Sequence, residues 1–215
     1  MPLQTFLNLP EDKRQKIIDC AVDEFAQYDY QSASVSRMVT QAGISKGSLY
    51  QYFTDKSDLY HYILELGVQK KAALMGESIQ SSPNLPFFES LNHLFRVMAT
   101  FELQYPKLAK IGYRAANGKS PLPEELVEKA KRSTSQYFIT LLENGIASGE
   151  IRKDTNVEVT ALLFSSALAE LGNFLSIKPG SIGLDEQPID QVSDIEIAYQ
   201  QIIAVIKHGI AAKQD

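Results

Sequence analysis

Apolar residues recur along this chain at intervals of three and four, and no stretch alternates long enough to read as a strand, so the pattern predicts an all-α protein. A first long helix follows Pro10, a residue suited to a first helical position. It places Ile17, Ile18, Ala21, Val22 and Phe25 on one face and ends near "QYDYQ". A second begins at Ser34, whose hydroxyl can accept a bond from an unpaired first-turn amide, and carries Val35, Met38, Val39 and Ala42 at helical spacing. Gly43 supplies its stop, because a left-handed closing residue costs glycine little. The next helix restarts at once: Ser45 can cap it, and Ile44 can pack on Leu49 as a hydrophobic staple. Two helices joined by so short a glycine-containing turn make a helix-turn-helix unit.

With Leu49 and Phe53 pointing inward, a rotation of about 100° per residue puts Gly47, Ser48, Tyr50 and Gln51 on opposite or lateral faces and Lys46 at the exposed start. Gly47 costs roughly 1 kcal/mol relative to alanine in a helix, which is tolerable where another surface must approach the backbone closely. Free amides of the first turn attract anions such as phosphate. A fourth helix starts around Asp55, with Asp58 completing a capping-box-like pair and Leu59, Ile63 and Leu66 on its buried face. Lys56 lies in its first turn, where a further phosphate could be held. The segment "SSPNLP", Ser81 to Pro86, breaks the pattern and marks a boundary.

Longer helices follow. The spacing predicts them over Phe87 to Gln104, with Phe88, Leu91, Phe95 and Met98 as a stripe, over Lys107 to Asn117, and over Pro123 to Ser148. Two more run from Val157 to Ile177 and from Gln191 to Lys213, separated by the loop "KPGSIGLDEQP". The penultimate helix is apolar around nearly its whole circumference, so one face covers the core and another needs a partner. The last helix offers a matching surface through Ile195, Tyr199, Ile202, Ile203, Ile206 and Ile210, and the chain is expected to form a homodimer through these last two helices.

Composition narrows the chemistry. A single cysteine, Cys20, rules out an internal disulfide framework and fits a reducing cytoplasm. No charged leader precedes an apolar run, and the most apolar stretch, Val157 to Ile177, contains Glu158, Glu170 and Asn173, so a buried helix is expected rather than a membrane span. The net charge of −5 excludes a globally basic coat, yet Tyr30 to Lys56 carries Arg37, Lys46 and Lys56 against Asp55 alone, a local positive patch. His61, His93 and His208 are far apart and give no metal-binding spacing. "GYRAANGKS" misses the phosphate-loop spacing by one residue and has no strand before it. No nucleophile elbow or zinc-protease motif is present, so no catalytic residue, metal or cofactor is expected, and Glu124 and Glu125 read as helix N-terminal charges.

The stretch "SASVSRMVTQAGISKGSLYQYFTDKSDL" resembles the TetR family of transcriptional regulators over about residues 10 to 65, with "SKGSLYQYF" and its spaced lysine as the specific core. The resemblance implies a DNA-binding domain over residues 1–55 and a helical effector-binding and dimerisation domain over residues 56–215, in which 56–80 is a connecting helix. It implies that Ser34, Ser36 and Arg37 meet the DNA backbone or groove edge. Ser45, Lys46, Gly47 and Ser48 would open the recognition helix, Tyr50 and Tyr52 would contact phosphate and groove, and Lys56 would hold a flanking phosphate. Gln51 takes the variable position between the tyrosines and is the candidate base reader, since glutamine can pair with an adenine edge. Residues Met1 to Asn8 are apolar where a basic arm would otherwise stand. The family's C-terminal helices enclose a small ligand, and Phe101, Tyr105, Tyr113, Tyr137, Phe138 and Phe164 are aromatic residues on the helices that would surround it here, suited to an apolar or amphipathic effector or simply to the core. The function expected is a ligand-responsive repressor that binds a palindromic double-stranded operator as a homodimer. Two rivals are a helical small-molecule-binding protein that does not bind DNA, and an enzyme using the C-terminal pocket.

Overall fold

A computed structural model describes residues 2–81, 85–118, 120–177 and 191–210, and all the regular elements among these residues are helices. In chain order they are α1 (Gln4–Leu7), α2 (Glu11–Gln27), α3 (Val35–Ala42), α4 (Lys46–Tyr50), α5 (Lys56–Ser81), α6 (Phe87–Gln104), α7 (Pro106–Asn117), α8 (Glu124–Ala147), α9 (Val157–Ile177) and α10 (Gln191–Ile210). They form two compact units, Met1–Lys70 with Tyr105–Glu124, and Lys71–Gln104 with Glu125–Asp215. The expected loop over 178–188, the end of the last helix beyond Ile210, and the side chains of Ile195 and Tyr199 lie outside the described residues.

In the first unit α2 packs on α3 and on α7, and α3 packs on α4. The apolar stripe of α2 supplies Ile17, Ile18, Ala21 and Phe25, while α7 returns Leu108, Ile111 and Ala115 to the buried interior. Arg114 of α7 donates to the carbonyls of Phe25 and Ala26, groups that the end of α2 leaves without an intrahelical donor. Lys107 pairs with Asp23 along the same contact. Pro10 sits just outside α2 as its capping residue, not at its first turn. Ahead of it the sequence pattern gave no helix, yet Leu3, Phe6 and Leu7 fall at helical spacing and α1 forms there, with Phe6 wholly buried.

The second unit is built around Phe87, Leu91, Leu94, Phe95 and Met98 of α6, joined by Phe138 and Leu142 of α8, Ile151, and Ala161 and Phe164 of α9. The stripe on α6 starts one residue earlier than its spacing suggested: Phe87 is buried and Phe88 is half-buried, packed at its ring edge 5.0 Å away. Gly145 lets α8 turn closely into the following segment. A Cβ there would lie 2.7 Å from the Ile151 side chain and 3.0 Å from Phe87.

On α10, Ile202, Ile203, Ile206 and Ile210 are half-buried and pack against the unit's own core, because α10 lies along α6. Among the described residues, the apolar side chains most exposed on α9 and α10 are Val159, Leu162 and Leu163, the last two 62% and 61% exposed, with Ile197 and Val205. Among the described residues, no helix is long and apolar enough to cross a membrane.

Candidate nucleic-acid interface

The helix-turn-helix geometry follows from its capping residues. Ser34 caps α3, its hydroxyl accepting the Arg37 amide at 3.4 Å. Gly43 closes α3 in the left-handed region at φ 72, which a side chain would strain, and the Ile44 amide reaches back to the Val39 carbonyl at 3.0 Å. Ser45 then caps α4, accepting the Ser48 amide at 3.0 Å and meeting the Ser48 hydroxyl at 2.8 Å. Three residues therefore separate α3 from α4. Behind α4, Leu49 and Phe53 are buried.

The opposite side of α4 is open. Lys46, Gly47, Tyr50 and Gln51 are exposed, Tyr50 to 44%, while Ser48 is half-buried against its capping partner. The nearest heavy atom to a Cβ placed on Gly47 would be the Ser45 hydroxyl at 3.7 Å, so glycine is not needed there for packing within the chain. On α3, Ser36 is exposed and its carbonyl accepts the Thr40 hydroxyl. These exposed residues are polar or small, and Lys46 among them has no partner among the described residues, a set that can meet a phosphate backbone and present amide and hydroxyl groups to base edges.

Arg37 and Lys56, two cations of the expected phosphate set, have partners within the protein. The Arg37 guanidinium spans both carboxylate oxygens of Glu24, donates to the Ser32 carbonyl at 3.1 Å, and stacks 4.2 Å from the Tyr28 ring centroid. Glu24 is 3% exposed and also accepts the Ser34 amide at 2.7 Å. Burial pushes its carboxyl up, but the bonds from Arg37 and Ser34 outweigh that and hold it below the ordinary carboxylate range. The Lys56 ammonium donates to the carbonyls of Tyr30, Gln31 and Ala33, the first at 2.7 Å, and lies over the Tyr30 ring. Both cations thus fix the segment that leads into α3. The start of α5 is held as the sequence suggested, with Asp55 accepting the Asp58 amide and Asp58 accepting the Thr54 amide.

Tyr52 is turned partly inward, its ring centroid 6.0 Å from that of Phe6. Here the structure adds residues that the motif does not contain. The Leu3 amide donates to the Tyr52 carbonyl at 2.8 Å, the Thr5 hydroxyl donates to the Gln51 carbonyl, and Phe6 lies among Tyr52, Phe53 and Tyr62. The short α1 therefore satisfies the carbonyls at the end of α4 and holds that end in place. The signal for it was the Leu3, Phe6, Leu7 spacing before Pro10; the signal for Glu24 was an acidic residue between the apolar positions Ala21 and Phe25.

The six aromatic residues expected around an effector are divided between the units. Tyr105 and Tyr113 belong to the first unit, and Phe101, Tyr137, Phe138 and Phe164 to the second. Phe138 meets Phe164 edge-on at 5.6 Å inside the core and Tyr137 at 5.7 Å, while Tyr137 is itself exposed.

Residues 17–63 match the family model for bacterial regulatory proteins of the tetR family, and residues 85–211 match the model for a tetracyclin repressor-like C-terminal domain. A TetR family transcriptional regulator from Chloroflexus aurantiacus J-10-fl, known as a crystal structure, is similar at 33% identity with a TM-score of 0.81, over 99% of this chain and 100% of that one. The HTH-type transcriptional regulator YhgD of Bacillus subtilis (strain 168) is 26% identical over 71% of this chain and 78% of its own length. The HTH-type transcriptional repressor KstR2 of Mycolicibacterium smegmatis is 27% identical over 70% and 73%. With both family models matched in sequence order, and with an exposed polar recognition helix set in a helix-turn-helix, the chain belongs to the TetR family of DNA-binding transcriptional regulators.

Proposed function

We propose that this regulator is a ligand-responsive repressor that binds a palindromic operator as a homodimer in the cytoplasm. The observation that carries the reading is the open polar side of α4, with Leu49 and Phe53 anchoring the helix from behind. In this reading Gln51 reads a base edge, Lys46 and Tyr50 take phosphates, and Gly47 and Ser48 allow close approach, with Ser36 on α3 beside them. Ser34 and Ser45 act as caps whose helices face the duplex, and Tyr52 acts at the edge of the contact. Arg37 and Lys56 act chiefly as the frame that aims α3. The relative named a transcriptional repressor favours repression over activation.

Dimerisation through α9 and α10 is supported by the outward apolar residues Val159, Leu162, Leu163, Ile197 and Val205. A two-fold dimer reads two half-sites about one helical turn apart, or a multiple of that, so the operator is palindromic. An effector that prefers the arrangement of heads unable to span both half-sites weakens operator binding by its differential affinity for the two states, with the helix over 56–80 as the connection. No catalytic role is part of this reading.

The test is selection of bound sequences from random duplexes by the full-length protein and by Gln51→Ala. The wild type should yield a palindromic motif, and Gln51→Ala should lose preference at one symmetric pair of positions, a change of about 1–3 kcal/mol in discrimination. An unchanged motif would remove Gln51 from the reading role, and absence of any selected motif would remove operator binding itself.

A further inference from the structure

Gln51, the residue given the base-reading role, stands one position past the last residue of α4, as its C-terminal cap. Its amide is held by the helix, reaching the Gly47 and Ser48 carbonyls at 3.2 and 3.0 Å. Its carbonyl continues no helical ladder, because the chain leaves the helix there. That carbonyl accepts the Thr5 hydroxyl of α1, 46 residues away along the chain. The neighbouring Tyr52 carbonyl accepts the Leu3 amide at 2.8 Å. Two consecutive carbonyls at the end of the recognition helix are therefore held from one short element outside the motif.

α1 is itself anchored to two longer helices. The Phe6 ring is wholly buried, its centroid 4.8 Å from that of Phe53 and 5.6 Å from that of Tyr62 on α5, and the Leu7 carbonyl accepts the Arg14 guanidinium of α2 at 3.1 Å. Thr5 takes no part in that anchoring. It is exposed, and where a helical threonine can turn its hydroxyl back onto its own helix, this one crosses to Gln51. The two kinds of DNA contact differ in how much movement they tolerate. A lysine on its flexible stem follows a phosphate, whereas a glutamine amide paired with an adenine edge needs donor and acceptor aligned together, within about 0.5 Å and about 10–20°. A bond that fixes the Gln51 backbone thus bears on base discrimination more than on phosphate attraction.

We propose that Thr5 is a specificity-determining positioning residue: its hydroxyl, carried on the anchored α1, sets the Gln51 backbone in the orientation from which the side chain reads a base edge. The inference rests on the base-reading role given to Gln51 above, and it adds an element outside the helix-turn-helix to the machinery of operator choice. Thr5 acts through Gln51 and needs no contact with DNA of its own.

The test compares the full-length wild type with Thr5→Val, which keeps the shape and removes the donor, with Thr5→Ser, which keeps the donor, with Gln51→Ala, and with Thr5→Val and Gln51→Ala combined. Affinities are measured for the duplex that the wild type selects, for the same duplex changed at the symmetric pair of positions whose preference Gln51→Ala loses, and for a scrambled duplex of equal length. Thr5→Val should lower the preference at that pair by about fivefold, while its affinity for the scrambled duplex, its salt dependence and its thermal midpoint stay as in the wild type. Thr5→Ser should keep the wild-type preference. In the combined variant Thr5→Val should cost nothing beyond Gln51→Ala, because no reading side chain is left to aim. The inference is overturned by an unchanged preference in Thr5→Val, by an equal loss on selected and scrambled duplexes, by a Thr5→Ser loss as large as that of Thr5→Val, by losses that add in the combined variant, or by a Thr5→Val protein that melts well below the wild type. If Gln51→Ala still loses its pair in such a case, only the role of Thr5 falls. An unaltered motif in Gln51→Ala, or no selected motif at all, removes the base-reading role itself and this inference with it.

Discussion

Glu24 stands on the face of α2 that the periodicity assigns to the core, and its burial is possible because its oxygens are fully engaged by Arg37 and the Ser34 amide. That makes the entry to α3 sensitive to pH with a definite sign. The folded-state pKa of Glu24 is depressed, so the native state binds fewer protons than the unfolded chain near the ordinary carboxylate value. The stability it contributes is present above about pH 4.5 and is lost as pH falls through the lowered native value. Glu24→Gln should be less stable than the wild type at neutral pH, and the gap should narrow on acidification; thermal melts over about pH 3 to 7 measure it, and a gap independent of pH would show that the charge has no such role. The motif placed Arg37 in the DNA-facing set by position alone. Sequence could not reveal its acidic partner, because that partner lies thirteen residues away on another helix and the pairing exists only once α2 and α3 have packed.

At the scale of helices, the start and stop of α3 and the start of α4 were legible because they rest on local chemistry: Ser34, Gly43 and Ser45 act through bonds to backbone groups within a few residues. Leu49 is buried from within α4 as its spacing predicts, whereas Phe53, expected on the same helix, is buried from the segment just past its end at Tyr50. Less legible were choices between two apolar faces of one helix. In α10 the stripe of isoleucines fits a partner surface as well as a core, and only the packing on α6 shows that it half-buries itself within its own unit. In α9 the all-round apolar character predicted a second covered face, and Leu162 and Leu163 lie exposed on the chain by itself. Leu162→Asp should therefore spare folding of the chain, which does not bury that position, while lowering self-association by about tenfold or more. Light scattering over a concentration series reads the change. A dimer of unaltered strength would move the interface elsewhere, and with it the reason for the exposed face.

For the molecule as a whole, chain order and compactness do not coincide. The unit that carries α4 is completed by α7, which the chain reaches only after traversing α6, and whose Leu108, Ile111 and Ala115 are buried there while Arg114 caps the end of α2. A linear reading of the motif ends near residue 65 and cannot register this return, since helical periodicity over Lys107 to Asn117 says that a buried face exists but not against what. A fragment comprising residues 1–70 would expose the α2 surface that α7 covers and leave the Phe25 and Ala26 carbonyls without their guanidinium donor. Its helical circular dichroism should melt without a cooperative transition, and adding back 105–124 through a flexible linker should restore one; a cooperative melt of the short fragment alone would contradict this. Engineers who wish to transplant the reading head of this regulator onto another sensor body must accordingly move two separate pieces of chain, and natural recombination that exchanged only the leading piece would have produced a head unable to stand by itself.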